Sequence, residues 1–234
     1  MCDLDIKSIN ARLSDRGLAY QLAQDDSGLY QLVSETVTFK PLMIDFTAGK
    51  ARHRQMFGGG VNQPLAKAAG IKKQYRPTVL DLTAGMGRDA YVLATLGCQV
   101  TMTERIGAIA VLLQQAIDIA RKDPDTQQIA GMMQLQAVSG QQFLIENHED
   151  FDTIYMDPMY PHRDKTALVK KEMRIFRELA GDDCDAADML VLARARAIKR
   201  VVVKRPKGGE LLGGFKPDFE ITSPNTRYDV YLNV

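Results

Sequence analysis

From Thr78 to the C-terminus, short apolar runs alternate with segments of helical period. "TVLDL" is a short β-like run leading to a glycine turn at Gly85. "DAYVLATLG" has helical spacing and closes on Gly97, the residue type common just past a helix end. "CQVTMTE" alternates as a strand, and "IGAIAVLLQQAIDIARK" reads as an amphipathic helix stopped near Pro124. "MMQLQAV" and "FDTIYMD" supply a third and a fourth strand. "TALVKKEMRIFRELAG" is helical as far as Gly181. "DAADMLVLARARAI" is helical with Asp185 as N-cap, and "RVVVKRP" is a fifth strand. Such alternation predicts right-handed crossovers and a mostly parallel sheet with helices on both faces. "DFEITSP" and "YDVYLNV", parted by a turn at Pro224 and Asn225, predict a hairpin that adds an antiparallel strand at the end of that sheet. The expected fold class is α/β and Rossmann-like, a mostly parallel twisted sheet with a C-terminal antiparallel hairpin strand.

The pattern before residue 75 is different. "LYQLVSE", "VTFKP" and "LMIDF" are short and strand-like. "GGGVNQPLAKAAG" reads as a glycine turn, Asn62 as cap, Pro64 in a first helical turn and Gly70 at the end. These elements predict a small α+β N-terminal domain over residues 1–75 and a Rossmann-like domain over residues 76–234, joined by "KKQYRP".

Composition narrows the class. A 45% hydrophobic and 25% charged chain of 234 residues is that of a soluble globular protein. No apolar run approaches the ~18 residues of a membrane span, and "MCDLDIKSIN" lacks the features of a secretory signal. Cys2, Cys98 and Cys184 are scattered, as are His53, His148 and His162, so neither a disulfide framework nor a metal site is expected. A cytoplasmic setting fits. The net charge is +1, but basic residues crowd two segments, Arg163 to Arg177 and Arg194 to Lys207. Each reads either as a solvated helix face or as a surface that neutralises phosphates.

Two stretches share Thr-Ala-Gly behind an apolar residue and an Asp: "IDFTAGKARHR" from Ile44 and "LDLTAGMGRDA" from Leu80. Ligands of open α/β sheets sit beyond the carboxyl ends of strands. Only the second stretch ends a strand and opens a helix; the first is assigned to the N-terminal domain. Gly85-Met86-Gly87-Arg88-Asp89-Ala90 satisfies the dinucleotide pattern G-x-G-x-x-G/A, and Glu104 ends the next strand where a ribose-binding acid belongs. Asp81 and Asp89 flank the turn and would repel a diphosphate. They suit a ligand carrying an amino group and a sulfonium, which S-adenosylmethionine combines with a ribose. An NAD-dependent oxidoreductase is the reading that the glycine pattern alone permits.

The fourth strand runs into Asp157-Pro158-Met159-Tyr160-Pro161. This resembles the (Asp/Asn)-Pro-Pro-(Tyr/Phe) motif of methyltransferases acting on exocyclic amines, with Met159 in place of the second proline. An aromatic amine is a poor nucleophile because its lone pair is delocalised into the ring. The Asp157 carboxylate and the Pro158 carbonyl are placed to accept its two N–H bonds. The proline ring stiffens that loop, and Tyr160 can stack on the base. Ser139-Gly140 ends the third strand, beside the expected adenine position.

Together "DLTAGMGRDAYVLA", "TMTER", "DPMYPH", "ALVKKEMRIF" and "KRVVVKRP" resemble one bacterial family, the S-adenosylmethionine-dependent guanine-N2 methyltransferases of small-subunit (16S) ribosomal RNA. The resemblance runs from about Phe39 to the C-terminus and is weakest over residues 1–37. It implies cofactor contacts at Arg88, Asp89, Glu104, Arg105, Ser139, Gly140 and Asp157, beside the Asp81, Gly85 and Gly87 read from the turn. Family members commonly carry serine where this chain has Gly140. Catalytic roles fall to Asp157, Pro158 and Tyr160. The resemblance makes Lys165, Lys170, Lys171 and Arg174 candidates for gripping RNA phosphates. It implies small-subunit ribosomal RNA, or its ribonucleoprotein particle, as partner, with no metal and no membrane. Adenine N6 or a protein glutamine remains open as the accepting amine, and a catalytically idle RNA-binding relative is a third class.

Overall fold

The computed structural model describes residues 5–34, 36, 40–48, 60–159, 175, 178–181 and 185–233. A seven-stranded sheet forms its centre. Strands β3 (Val79–Asp81), β4 (Val100–Thr103), β5 (Met133–Gln136), β6 (Phe151–Met156) and β7 (Ala197–Pro206) are mutually parallel. Strands β8 (Phe219–Thr222) and β9 (Thr226–Leu232) form the C-terminal hairpin, and the spatial order is β5-β4-β3-β6-β7-β9-β8.

Among the described residues the alternation read from Thr78 onward is present; most of the helix read in "TALVKKEMRIFRELAG" lies outside them. The central strands β3 and β6 and the Val201–Val203 run of β7 look apolar because both faces are covered. Val79, Met102, Tyr155, Val202 and Val230 enter one buried cluster. The intervening Leu80, Ile154, Met156, Val201, Val203 and Tyr231 enter the other. Helices α2 (Pro64–Ala69), α3 (Arg88–Thr95) and α4 (Gly107–Ala120) cover the first face. Helices α6 (Gly140–Glu146) and α7 (Ala186–Arg196) cover the second. The short α5 (Gln127–Ala130) precedes β5. Helices α5 and α6 were not expected from the pattern.

The hairpin shows how burial decides strand order. β9 is inserted antiparallel between β7 and β8, paired from Arg200↔Leu232 to Pro206↔Thr226. Five consecutive residues of β9, Arg227 to Tyr231, are buried, whereas Phe219, Glu220 and Thr222 of β8 are exposed. The more apolar arm takes the interior position and the more polar arm takes the edge.

Before residue 75, α1 (Ile6–Asp15) is capped by Asp5, whose carboxylate accepts from the Lys7 and Ser8 amides. It precedes a two-stranded antiparallel sheet of β1 (Tyr20–Gln24) and β2 (Tyr30–Ser34), with Leu22 facing Leu32. "LYQLVSE" is β2, but α1 and β1 were not foreseen. Within "LMIDF" only Leu42 forms a bridge, to Leu32. Three residues of "VTFKP", 37–39, lie outside the described set. Asn62 closes a 3-10 turn, so the cap of α2 is Gln63, while Gly70 (φ +81°) ends the helix as its spacing predicts. Ile9, Leu13, Leu22, Leu32, Leu42, Ile44 and Phe46 share the first buried cluster with the main sheet. Among the described residues no helix is long and apolar enough to cross a membrane.

The buried Thr153 hydroxyl on β6 donates to the Ala69 carbonyl at the end of α2, at 2.9 Å. Thr153→Val leaves that carbonyl unpaired and is expected to lower stability by about 1–2 kcal/mol in urea unfolding. Thr153→Ser retains the donor and most of the stability.

Candidate active site

The site forms where β3, β4, β6 and β7 end. β3 stops at Asp81, only 2% exposed, whose Oδ1 accepts from the Thr83 amide at 3.0 Å. The chain then turns through Gly85 (φ +53°) and Gly87 (φ +68°) into α3. Side chains rarely adopt these φ values, and at Gly87 a Cβ would also lie 2.7 Å from Leu113 and 3.0 Å from Phe46. Glu104, just past β4, accepts from the Gly85 amide (2.9 Å) and the Ile106 amide (2.7 Å). One buried acid thus fixes the glycine turn and the entry to α4.

Asp157 follows β6. Its amide donates to the Thr83 hydroxyl at 2.6 Å, which ties the loop after β6 to the glycine turn. Lys204, near the carboxyl end of β7, donates to Asp89 Oδ2 (2.7 Å) and to Asp157 Oδ2 (2.8 Å). The Tyr155 hydroxyl donates to the same Asp89 oxygen at 2.7 Å.

Around these groups opens a cleft of about 350 Å³. Of the residues singled out from sequence, Asp81, Gly85, Arg88, Asp89, Glu104, Arg105, Ser139, Gly140 and Asp157 all line it. Gly87 stands behind the turn, against Leu113 and Phe46. Pro158 is buried directly after Asp157. Tyr160, Lys165, Lys170, Lys171 and Arg174 lie outside the described residues. The Ser139 hydroxyl caps α6 by accepting from the Gln142 amide at 3.1 Å. A Cβ at Gly140 would lie 2.8 Å from the Leu82 carbonyl oxygen, so its lack of a side chain lets helix and strand approach.

Sequence reasoning missed Thr83, Tyr155 and Lys204. Lys204 belonged to a run of basic residues that reads as one surface, and the structure separates them. Lys199 pairs with Asp152 at 3.0 Å, Arg196 donates to the Leu144 and Asn147 carbonyls, and Arg200 donates to the Ala68 carbonyl. Lys204 alone among these four reaches the cleft. A lysine after Val201-Val202-Val203 in a central strand was the available signal.

The electrostatics follow from crowding. Burial, reinforced by Asp89 and Asp157, pushes the Asp81 carboxyl up to about 7, against the Thr83 amide and Lys204. Burial alone would lower the Lys204 pKa, but Asp157 and Asp89 outweigh it and the net shift is upward. Burial and the same acids push the Tyr155 phenol far up, so it stays a neutral donor. Three carboxylates therefore surround one ammonium, and the cleft has an excess of negative charge.

The chain matches, over residues 8–233, a family model described as "Putative SAM-dependent methyltransferase". It is 49% identical over 192 residues to ribosomal RNA small subunit methyltransferase J of Pseudomonas paraeruginosa, covering 82% of this chain and 74% of that one. The chain belongs to this methyltransferase family. The protein of the same name from Shewanella loihica is 46% identical over 222 residues, covering 93% and 85% of the two chains. A crystal structure of an S-adenosylmethionine-dependent methyltransferase from Neisseria gonorrhoeae superposes with a TM-score of 0.70 at 32% identity, over 98% of this chain and 93% of that one. Family membership makes the protein an enzyme that uses S-adenosylmethionine.

Two outcomes follow from the site's packing and charge. Gly140→Ala is expected to cost about 1–3 kcal/mol in denaturant unfolding, because Leu82 and Met189 must shift. Asp81 has a folded pKa of about 7, above the ordinary 3.8. Its favourable contribution is complete below about pH 4 and is lost as pH rises through about 7. Asp81→Asn should therefore flatten the fall in ligand-free stability over that window, measured by urea unfolding at a series of pH values.

Proposed function

We propose that the chain transfers a methyl group from S-adenosylmethionine to the exocyclic N2 amine of a guanine in small-subunit ribosomal RNA. The observation that carries this reading is Asp157. It is fixed to Thr83 on one side, leads into buried Pro158 on the other, and opens on the same cleft as Asp81, Asp89 and Glu104. The curated relatives named for small-subunit ribosomal RNA favour the RNA base over the other planar amines.

The donor set fits the cofactor. An excess of carboxylate, with Asp81 buried and Asp89 on α3, suits a ligand bearing an ammonium and a sulfonium. Glu104 has its oxygens turned toward backbone amides, each able to accept a further hydrogen bond from a ribose hydroxyl. Arg88 and Arg105 supply charge for the carboxylate end and the cleft rim, and Ser139-Gly140 forms the adenine-side wall. When bound, S-adenosylmethionine supplies an electrophilic methyl group. The protein's own work is then placement. Asp157 and the Pro158 carbonyl accept the amine N–H bonds, which localises the lone pair on nitrogen, and Tyr160 stacks on the base. The nitrogen's surplus proton leaves to solvent. Lys165, Lys170, Lys171 and Arg174 hold flanking phosphates, and the reaction takes place in the cytoplasm, where its substrate is.

The test is methyl transfer to small-subunit ribosomal RNA, naked and as the assembled particle, with nucleosides resolved by mass spectrometry. N2-methylguanosine is the expected product. N6-methyladenosine, or transfer only to protein, would overturn the guanine reading. Asp157→Asn keeps one acceptor but adds a donor, and should slow transfer about a hundredfold. Charge reversal at Lys170 and Lys171 should weaken RNA binding and reduce the slope of log K against log salt by about 2.

A further inference from the structure

Lys204 is an unusual residue for its place. Val201, Val202 and Val203 before it are fully buried in a strand with neighbours on both sides. Its ammonium meets carboxylates from two different elements, Asp89 on α3 and Asp157 after β6. A partly buried ion pair is a weak stabiliser, and an apolar side chain at such a position would serve folding as well. The arrangement instead joins an acid on the cofactor side of the cleft to the acid on the substrate side.

We propose that Lys204 is a positioning residue for methyl transfer, which keeps Asp89 and Asp157 ionised and fixes one relative to the other. The proposal rests on the methyl-transfer reading given above. The groups facing this ammonium are Asp81 from β3, Asp89 from α3, and Tyr155 and Asp157 from β6 and its following loop. Tyr228 is its partner on β9, and Asp185 lies on the wall of the same cleft. Without the ammonium, three acids would face one another across the cleft, and each would raise the pKa of the others. The Asp81 carboxyl, raised to about 7 chiefly by burial, is pushed further in the same direction by Asp89 and Asp157 even with Lys204 present. A protonated Asp157 loses acceptor capacity toward the amine. An Asp157 no longer held to Asp89 loses its bearing on the methyl donor.

The experiment compares the full-length wild type with Lys204→Met, Lys204→Gln and Lys204→Arg. Binding of S-adenosylhomocysteine is followed by calorimetry at about pH 6 and about pH 8.5. Going from the higher to the lower pH, K204M and K204Q should lose several-fold more affinity than wild type, because without the ammonium more of an acid that must be ionised is protonated at the lower pH. K204R keeps the charge and should follow wild type. In methyl transfer to small-subunit ribosomal RNA at neutral pH, K204M and K204Q should lose about a hundredfold in kcat, with KM for S-adenosylmethionine changed less than about threefold, and should regain part of the rate at the higher pH. Should K204M fail to fold, K204Q, nearly isosteric and polar, carries the same comparison. Neutral variants with wild-type kcat and wild-type pH profiles would overturn the proposal. So would a loss confined to cofactor affinity and equal at every pH. A wild type that transfers no methyl to this RNA would sink the substrate reading instead, and the binding profiles would still decide the role of Lys204.

Discussion

The parallel register of β3, β6 and β7 is the constraint on which the site depends. Asp81 pairs with Tyr155, and Tyr155 pairs with Val202. Two residues beyond Tyr155 on the chain is Asp157, and two beyond Val202 is Lys204. The side chains of Asp81, Tyr155, Asp157 and Lys204 therefore emerge toward one face at the carboxyl edge of the sheet, where α3 adds Asp89. A one-residue slip would exchange the faces. It would turn Lys204 toward α6 and α7 and bring Arg205 to the cleft. The slip is prevented by the rest of each strand, since Ile154, Val201 and Val203 fill one buried cluster and Tyr155 and Val202 the other. Core packing on both faces thus sets the geometry of the chemistry.

That geometry costs stability. Three acids and one lysine meet at the cleft, and the acid most deeply buried is held far from its ordinary pKa. A cationic ligand entering this cleft relieves the imbalance, so part of the electrostatic strain in the ligand-free protein becomes ligand selectivity. The same logic disfavours a diphosphate. The carboxylate pair read from sequence led to that conclusion without Lys204; adding one positive charge reduces the negative excess but leaves its sign unchanged. Concentrating unfavourable charge at a functional site, and offsetting it with a well-packed core elsewhere, is the usual compromise between stability and activity.

The fold was legible where tertiary packing agrees with local pattern. β3, β6 and the centre of β7 are buried on both faces and appear as apolar runs between helical periods, while β4 and the edge strand β5 show as alternation. Helix α1 was not legible because only Ile9 and Leu13 of its ten residues are buried, too few to mark a helical stripe. α6 was hidden for a related reason: Phe143 and Leu144 are its large buried residues, and its start is set by the Ser139 cap. At the site, the glycines and acids were legible because their residue types are unusual after a strand. Tyr155 was not, since a tyrosine in an apolar run looks like core, and its hydroxyl matters only because Asp89 lies across from it. Lys204 was masked by its neighbours: charge clusters in sequence need not be clusters in space once a strand sends alternate side chains to opposite faces.

The two look-alike stretches meet in the structure, and their meeting gives the N-terminal residues a physical role. Phe46, from the first stretch, stacks on Tyr91 of α3 with ring centroids 4.7 Å apart and planes within 3°. It also fills the space that a side chain at Gly87 would occupy. Gln115 on α4 exchanges two hydrogen bonds with the backbone of Tyr30. Arg16 donates to the Leu179 carbonyl, and Arg105 to the Ala180 carbonyl beside it. The first stretch therefore holds the back of the glycine turn whose front faces the cleft. Arg16, just past α1, and Arg105 on the cleft wall grip the same short segment, 179–180. Glycine at position 87 answers to both demands, the positive φ of the turn and the close approach of Phe46. The resemblance between the stretches is thus one of composition, since one of them lines the cleft and the other supports it from behind.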